Sequence, residues 1–173
     1  MTAQRGKAIT TRKIALVGIL AAIAVALSPL VSFPLPFATP YPIQHMVNAI
    51  AGVLLGPWYA VFIAVIAGLV RNLLRTGTIF AFPGGIFGGL VVGLVYKYVL
   101  RKDYAALFEP IGTGLIGATV SAYLVGPWAF QAGLIGKLGT FDVFVVSFLA
   151  SSIPGSILGF IVLKLVRRTG IWA

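Results

Sequence analysis

The chain has 173 residues, of which 60% are hydrophobic and only 9% are charged, and its mean hydropathy is +1.06. Soluble domains are typically about half apolar and about a quarter charged, so this composition excludes a soluble globular domain of any size. The absence of cysteine excludes disulfides, thiol catalysis and thiolate metal sites. The net charge of +10 sits at the ends of apolar runs, which favours contact with lipid and argues against nucleic acid as a partner.

Six apolar runs predict an all-α integral membrane protein, with one six-helix domain over residues 1–173. A helix needs about 20 largely apolar residues to cross the hydrocarbon core of a bilayer. The first run is too long for the core of a signal peptide and lacks a clear small-residue cleavage site, so we expect it to remain as a span. The predicted spans are 14–31, 43–55, 58–74, 83–100, 111–125 and 142–166.

Lysine and arginine are distributed unevenly between the two sides of this predicted bundle. With the N-terminus inside, three basic residues lie on outer segments, namely Arg71, Arg75 and Lys137. This positive-inside bias predicts that both termini are cytoplasmic in a multi-pass protein of the cytoplasmic membrane, with the loop before His45 facing outward. The ten inner residues are Arg5, Lys7, Arg12, Lys13, Lys97, Arg101, Lys102, Lys164, Arg167 and Arg168.

The polar stretch 41–48 opens the second span and contains the only histidine of the chain. On a helix that begins near Ile43, the side chains of Gln44, His45 and Asn48 share one neighbourhood, because residues three and four apart are neighbours. Polar groups without partners are costly in lipid and usually mark a site, although polar side chains also join helices to one another. We interpret this stretch first as a ligand site that includes Tyr41, and second as a contact between helices.

Further candidate ligand contacts lie on the later spans and near their outer ends. Ser151 and Ser152 precede Pro154, which frees a carbonyl group and bends the helix. Such a break either lines a cavity or is repaired by the serines themselves. Outer aromatic side chains can stack on a flat ring, although they are also common as membrane anchors. The remaining candidates are Arg71, which has Asp142 or lipid phosphate as alternative partners, and Asn72, Phe82, Tyr123, Trp128 and Gln131.

Acidic residues and catalytic motifs are scarce. Asp103, Glu109 and Asp142 are the only carboxylates, the predicted spans place none of them well inside a helix, and no two form a plausible catalytic pair. No second histidine supports a zinc site, and no Gly-x-x-x-x-Gly-Lys-Ser/Thr sequence supplies an ATPase site. We therefore predict that the protein is not an enzyme and binds no metal and no cofactor. His45 alone is weak support for coupling of transport to protons.

A surplus of small residues marks the first span. Gly18, Ala22 and Ala26 recur at four-residue spacing and form a flat ridge that another helix can approach closely. Packing within the same bundle is the alternative interpretation. The later spans already carry ridges for that purpose, so we predict an external helical partner for the first span. The later ridges are Gly85/Gly89/Gly93, Gly114/Ala118/Ala122 and Gly155/Gly159.

The chain resembles the substrate-binding S components of energy-coupling factor vitamin transporters, in its six helices, its basic N-terminus and the Ala22-x-x-x-Ala26 ridge. Within that group it is most similar to the ThiW family, which is proposed to handle a thiazole precursor of thiamin. The segments behind this narrower resemblance are Pro42-Ile43-Gln44-His45 with Asn48, then 54–60, then 82–88.

This resemblance implies that a hydroxyethylthiazole-like precursor is captured from outside, in a pocket closed by the first outer loop and the loops after spans three and five. It also implies a transmembrane T component and two ABC ATPases as partners, with toppling of the S component to release cargo inward. The alternatives are an S component for thiamin, its pyrimidine precursor or riboflavin, a stand-alone facilitator, and a structural membrane subunit. A facilitator needs a continuous polar path, whereas the inner halves of the spans are nearly all apolar.

Overall fold

The computed structural model describes residues 2–35 and 38–170, with side chains from residue 11 onward. The regular secondary structure of the described residues is helical, without a strand, and the predicted all-α fold with six helices is confirmed. The side chains of Arg5 and Lys7, counted above among the inner basic residues, lie outside the described part. The helical segments are α1 (Thr2–Leu27), α2 (Pro42–Leu54), α3 (Pro57–Leu73), α4 (Ala81–Tyr98), α5 (Asp103–Gln131) and α6 (Phe141–Arg168).

The surface of the bundle is apolar. Among the described residues, α4, α5 and α6 are long and apolar enough to cross a membrane, and α3 is a shorter apolar helix. Large side chains such as Trp58, Leu73 and Leu124 are 67–74% exposed, which suits a lipid environment far better than water. The count of six transmembrane spans and the cytoplasmic position of both termini stay predictions.

Proline and glycine set the ends of the helices. Pro42 and Pro57 stand in the first turns of α2 and α3, where a missing N–H costs no helical hydrogen bond. Gly56 turns the chain between these two helices with φ of 94°, a backbone conformation that glycine adopts without strain. The short connection keeps α2 and α3 adjacent.

The short helix α2 lies at the centre of the bundle. Of its 13 residues, 11 are buried, and it packs most extensively on α6 and α4, with further contacts to α1, α3 and α5. A 13-residue helix spans about 20 Å and is too short to cross a bilayer. Burial among longer helices explains how such a short apolar segment is accommodated.

Glycines allow the helices to approach one another closely. A Cβ atom at Gly155 would lie 2.6 Å from the Cβ atom of His45, and one at Gly159 would lie 2.8 Å from that of Ala49. The backbones of α6 and α2 therefore meet directly along this line. The small-residue ridge of α4 packs on α3 in the same way, at Gly89 against Ala60. These ridges serve packing within the bundle.

The segment α5 extends beyond its predicted bounds of 111–125 at both ends. A 3₁₀ turn over Asp103–Phe108 leads into it, and Gly126–Gln131 extends it. Wider π-helical turns occupy Gly112–Gly117 and Ser121–Val125. Residues 103–110 and 126–131, which lie outside the predicted span, therefore belong to this helical segment.

Candidate functional site

A cavity of about 400 Å³ lies at the end of the bundle where α2, α4 and α6 begin and α3 ends. Small-molecule sites have volumes of about 300–1,000 Å³, so this cavity suits a compact ligand with one small ring system. Its walls combine aromatic rings with hydroxyl, amide, imidazole and cationic groups. The lining side chains include Tyr41, Gln44, His45, Arg71, Phe80, Lys137, Phe144, Ser147, Phe148 and Ser151.

The structure brings five of the twelve predicted ligand contacts to this cavity, and a hydrogen bond joins two of the elements that carry them. The backbone N–H of Tyr41 donates to Ser151 Oγ at 2.7 Å, which fixes the start of α2 against α6. The hydrogen bond observed at Ser151 therefore joins α6 to α2 and does not repair the backbone of α6 beside Pro154. The five residues are Tyr41, Gln44, His45, Arg71 and Ser151.

Arg71 is fully buried and joins the end of α3 to the start of α2. Its Nη1 donates to Gln44 Oε1, and its Nη2 donates to the carbonyl oxygen of Thr76 at 2.8 Å. The guanidinium carbon lies 4.1 Å from the centre of the Tyr41 ring, a cation–π geometry. Gln44 in turn donates to the carbonyl oxygen of Ala81 at 3.2 Å. These partners offset the cost of removing a charge from water.

His45 and Asn48 contact Glu109, a carboxylate that lies outside the predicted spans. Glu109 is fully buried, and its Oε1 lies 2.8 Å from His45 Nδ1 and accepts from Asn48 Nδ2 at 3.3 Å. Its Oε2 has no hydrogen-bond partner among the described residues. The expectation that no carboxylate lies well inside a span is therefore wrong, because α5 begins at Asp103 and carries Glu109 into the bundle.

Residues of α4 and α5 make room for this carboxylate and hold it. A Cβ atom at Gly88 would lie 2.9 Å from Glu109 Cδ and would overlap Oε1. Thr113 Oγ1 lies 2.7 Å from Glu109 Oε1 and 2.8 Å from the carbonyl oxygen of Gly84. A glycine in α4 and a hydroxyl one turn along α5 therefore seat the carboxylate beside His45.

Seven predicted contacts lie outside the residues that line the cavity. Asn72 closes the turn after α3, because its amide donates to the carbonyl oxygens of Gly68 and Thr78 at 2.8 and 2.9 Å. Tyr123 is 70% exposed and stacks on Phe141 with 6.0 Å between ring centres, as expected of an interfacial anchor. The others are Asn48 and Ser152, buried in the bundle, Phe82, packed on Gly68, and Trp128 and Gln131, exposed on α5.

Of the residues through which α6 lines the cavity, Ser151 was predicted from the sequence, whereas Phe144, Ser147 and Phe148 were missed. Phe144, Ser147, Phe148 and Ser151 recur at three- and four-residue spacing and line the cavity along one face of the helix. Serines at this spacing inside an apolar helix are the signal that identifies the face. The rings of Phe80 and Phe144 approach with 4.7 Å between centres and form an aromatic wall.

The chemistry of the cavity suits binding. The part of the chain that the structure describes holds no group of three or more histidine, cysteine or acidic side chains that could bind a metal ion. The lining offers a few hydrogen-bonding groups beside aromatic faces, the usual composition of a small-molecule site. Two cationic side chains, Arg71 and Lys137, and no carboxylate stand among the described residues that line it.

Comparison with known families gives one match that covers most of the chain. The family model described as "Thiamine-precursor transporter protein (ThiW)" matches residues 14–169. The matched region includes every residue that lines the cavity and the buried carboxylate beside it. A comparison with individually curated proteins finds no match.

Proposed function

The chain belongs to the thiamine-precursor transporter (ThiW) family, and from this premise we propose that it is the substrate-binding S component of an energy-coupling factor importer. The family is one of transporters, so a small-molecule precursor is the substrate and a membrane is the location. In this proposal the cavity captures hydroxyethylthiazole, the thiazole precursor of thiamin, from outside the cytoplasmic membrane. A transmembrane T component and two ABC ATPases then supply the energy for import.

We infer the ligand from the charges of the residues that line the cavity. Arg71 and Lys137 line the cavity, and none of the described lining residues is acidic. Thiamin contains a thiazolium ring with a permanent positive charge, and placing that charge beside the fully buried Arg71 is unfavourable. A neutral thiazole carries no such cost. Its ring suits the aromatic wall of Phe80 and Phe144, and its alcohol arm suits the hydroxyl and imidazole groups.

A thermal-shift titration of the purified protein tests this choice. The ligands are hydroxyethylthiazole, thiamin, the hydroxymethylpyrimidine precursor, riboflavin and biotin. Hydroxyethylthiazole should raise the melting temperature, with a stabilisation of about 2.7 kcal/mol at a hundredfold excess over Kd. Stabilisation by thiamin or riboflavin alone would assign the chain to another vitamin. No stabilisation by any of them would favour a structural subunit.

The ridge on α1 supports the proposal of a T component as partner. Gly18, Ala22 and Ala26 are all exposed, and a Cβ atom at Gly18 would have no neighbouring atom within 4 Å. The helix packs on α2 and α3 through its other face, at residues such as Leu20 and Ala24. Small residues on the free face allow a foreign helix to approach the α1 backbone.

A further inference from the structure

His45 reaches the cavity with one ring nitrogen already engaged. Its Nδ1 lies 2.8 Å from Glu109 Oε1, while the residue itself lines the cavity. Nε2 is therefore the ring nitrogen left for a ligand. The position of the imidazole proton decides whether Nε2 donates or accepts a hydrogen bond, and the partner of Nδ1 sets that position.

The contact with Glu109 decides which nitrogen of a neutral imidazole carries the proton. Glu109 is fully buried, and its Oε1 lies 2.8 Å from His45 Nδ1. An ionised carboxylate only accepts hydrogen bonds, so the single ring proton lies on Nδ1 and Nε2 presents a lone pair.

We propose that Glu109 is a positioning residue that selects the Nδ1–H form of His45, so that Nε2 accepts a hydrogen bond from the hydroxyl group of the transported alcohol. This inference rests on the proposed function, because it assigns recognition of the alcohol arm to the same cavity. Asn48 and Thr113 hold the carboxylate, and Gly88 leaves room for it. The site then rejects molecules of the same shape that lack a donor at that position.

Binding measurements with hydroxyethylthiazole and its O-methyl ether test the hydroxyl contact. The ether keeps the ring and the oxygen but cannot donate. The wild-type protein should bind the alcohol about tenfold to a hundredfold more tightly than the ether, as expected for one hydrogen bond to a buried acceptor. Glu109→Met should abolish this preference. Glu109→Gln should keep most of it, because an amide oxygen still accepts from Nδ1–H.

Asp103→Asn is the matched control for loss of a buried carboxylate. Asp103 is 4% exposed and pairs with Arg167 at 2.6 Å, at the end of the bundle opposite the cavity. The control should change the melting temperature without changing the alcohol-to-ether ratio. A change in that ratio equal to the one in Glu109→Met would show that general loosening of the bundle, and not positioning of His45, sets the preference.

A second measurement needs no variant, because the chain contains a single histidine. Nitrogen-15 labelled histidine in the wild-type protein, purified without a histidine tag, reports the protonation of each ring nitrogen by NMR. The expected result is a protonated Nδ1 and an unprotonated Nε2 whose signal shifts when hydroxyethylthiazole binds. A protonated Nε2 in the free protein would overturn the inference.

The outcomes separate this inference from the proposed function. If the wild-type protein binds the alcohol and the ether equally, the hydroxyl contact fails while the assignment of a thiazole ligand stands. If the wild-type protein binds neither molecule, the proposed function fails and the hydroxyl contact fails with it.

Discussion

Replacing Gly155 with alanine would push α6 away from α2 beside His45. A Cβ atom at this position would overlap the carbonyl oxygen of Pro42, and it would lie 2.6 Å from His45 Cβ and 3.1 Å from the backbone nitrogen of Met46. Two of these three contacts are with backbone atoms, so rotation of a side chain cannot relieve them. The two helices must separate, or α2 must shift at its first turn.

The expected change in the stability of Gly155→Ala follows from two opposing effects. Overpacking of this kind costs about 1–3 kcal/mol, while a change from glycine to alanine within a helix returns about 0.5–1 kcal/mol. Gly18→Ala is the matched control, because a Cβ atom there has no neighbour within 4 Å and only the second effect remains. Each kcal/mol shifts the melting temperature of a chain of this size by about 2–4 °C, so Gly155→Ala should melt about 2–12 °C below Gly18→Ala.

Both variants should be purified in the same detergent and compared by thermal unfolding, with and without hydroxyethylthiazole. Gly155→Ala should also bind the ligand more weakly, because His45 and the start of α2 line the cavity. Gly18→Ala should bind it normally. Equal melting temperatures for the two variants would refute the direct backbone contact between α2 and α6, and with it the packing that places His45.

The double variant Ala22→Leu, Ala26→Leu should keep its ligand affinity but lose co-purification with the T component and uptake in cells, and normal uptake would contradict the ridge as the partner surface. Tyr41→Leu removes the ring that covers the buried Arg71 guanidinium. It should lower stability by about 0.5–2 kcal/mol and weaken ligand binding, and unchanged thermal unfolding with and without ligand would argue against this contact. Proteoliposomes that contain the chain alone should bind hydroxyethylthiazole without accumulating it, and concentrative uptake without ATPases would disprove the need for partners.

Most helix bounds could be predicted because apolar runs and prolines mark them locally. The predicted bounds of α2, α3, α4 and α6 lie within two residues of those observed, and Pro42 and Pro57 open two of these helices. The first helix was less well predicted. It starts at Thr2, in a polar segment without hydrophobic periodicity, and ends at Leu27 shortly before Pro29, since a residue before proline disfavours helical backbone.

The polar partner of His45 could not be predicted, because it comes from a distant part of the chain. Glu109 is 64 residues away, and its depth depends on where α5 begins. The opening turn Asp103–Phe108 is a short 3₁₀ segment that mixes charged and aromatic residues, so hydrophobic periodicity does not reveal it. Lys137 reaches the cavity from a loop whose path no local pattern determines.

The glycine contacts between α2 and α6 determine how this chain tolerates mutation. On the lipid-facing surface, side chains such as Trp58 and Leu124 compete only with hydrocarbon, so exchange for another large apolar residue changes little. Between the helices, a single added carbon atom at Gly155 or Gly159 meets the backbone of α2. Added bulk is therefore accepted at the apolar periphery and refused along the line where α2 and α6 meet.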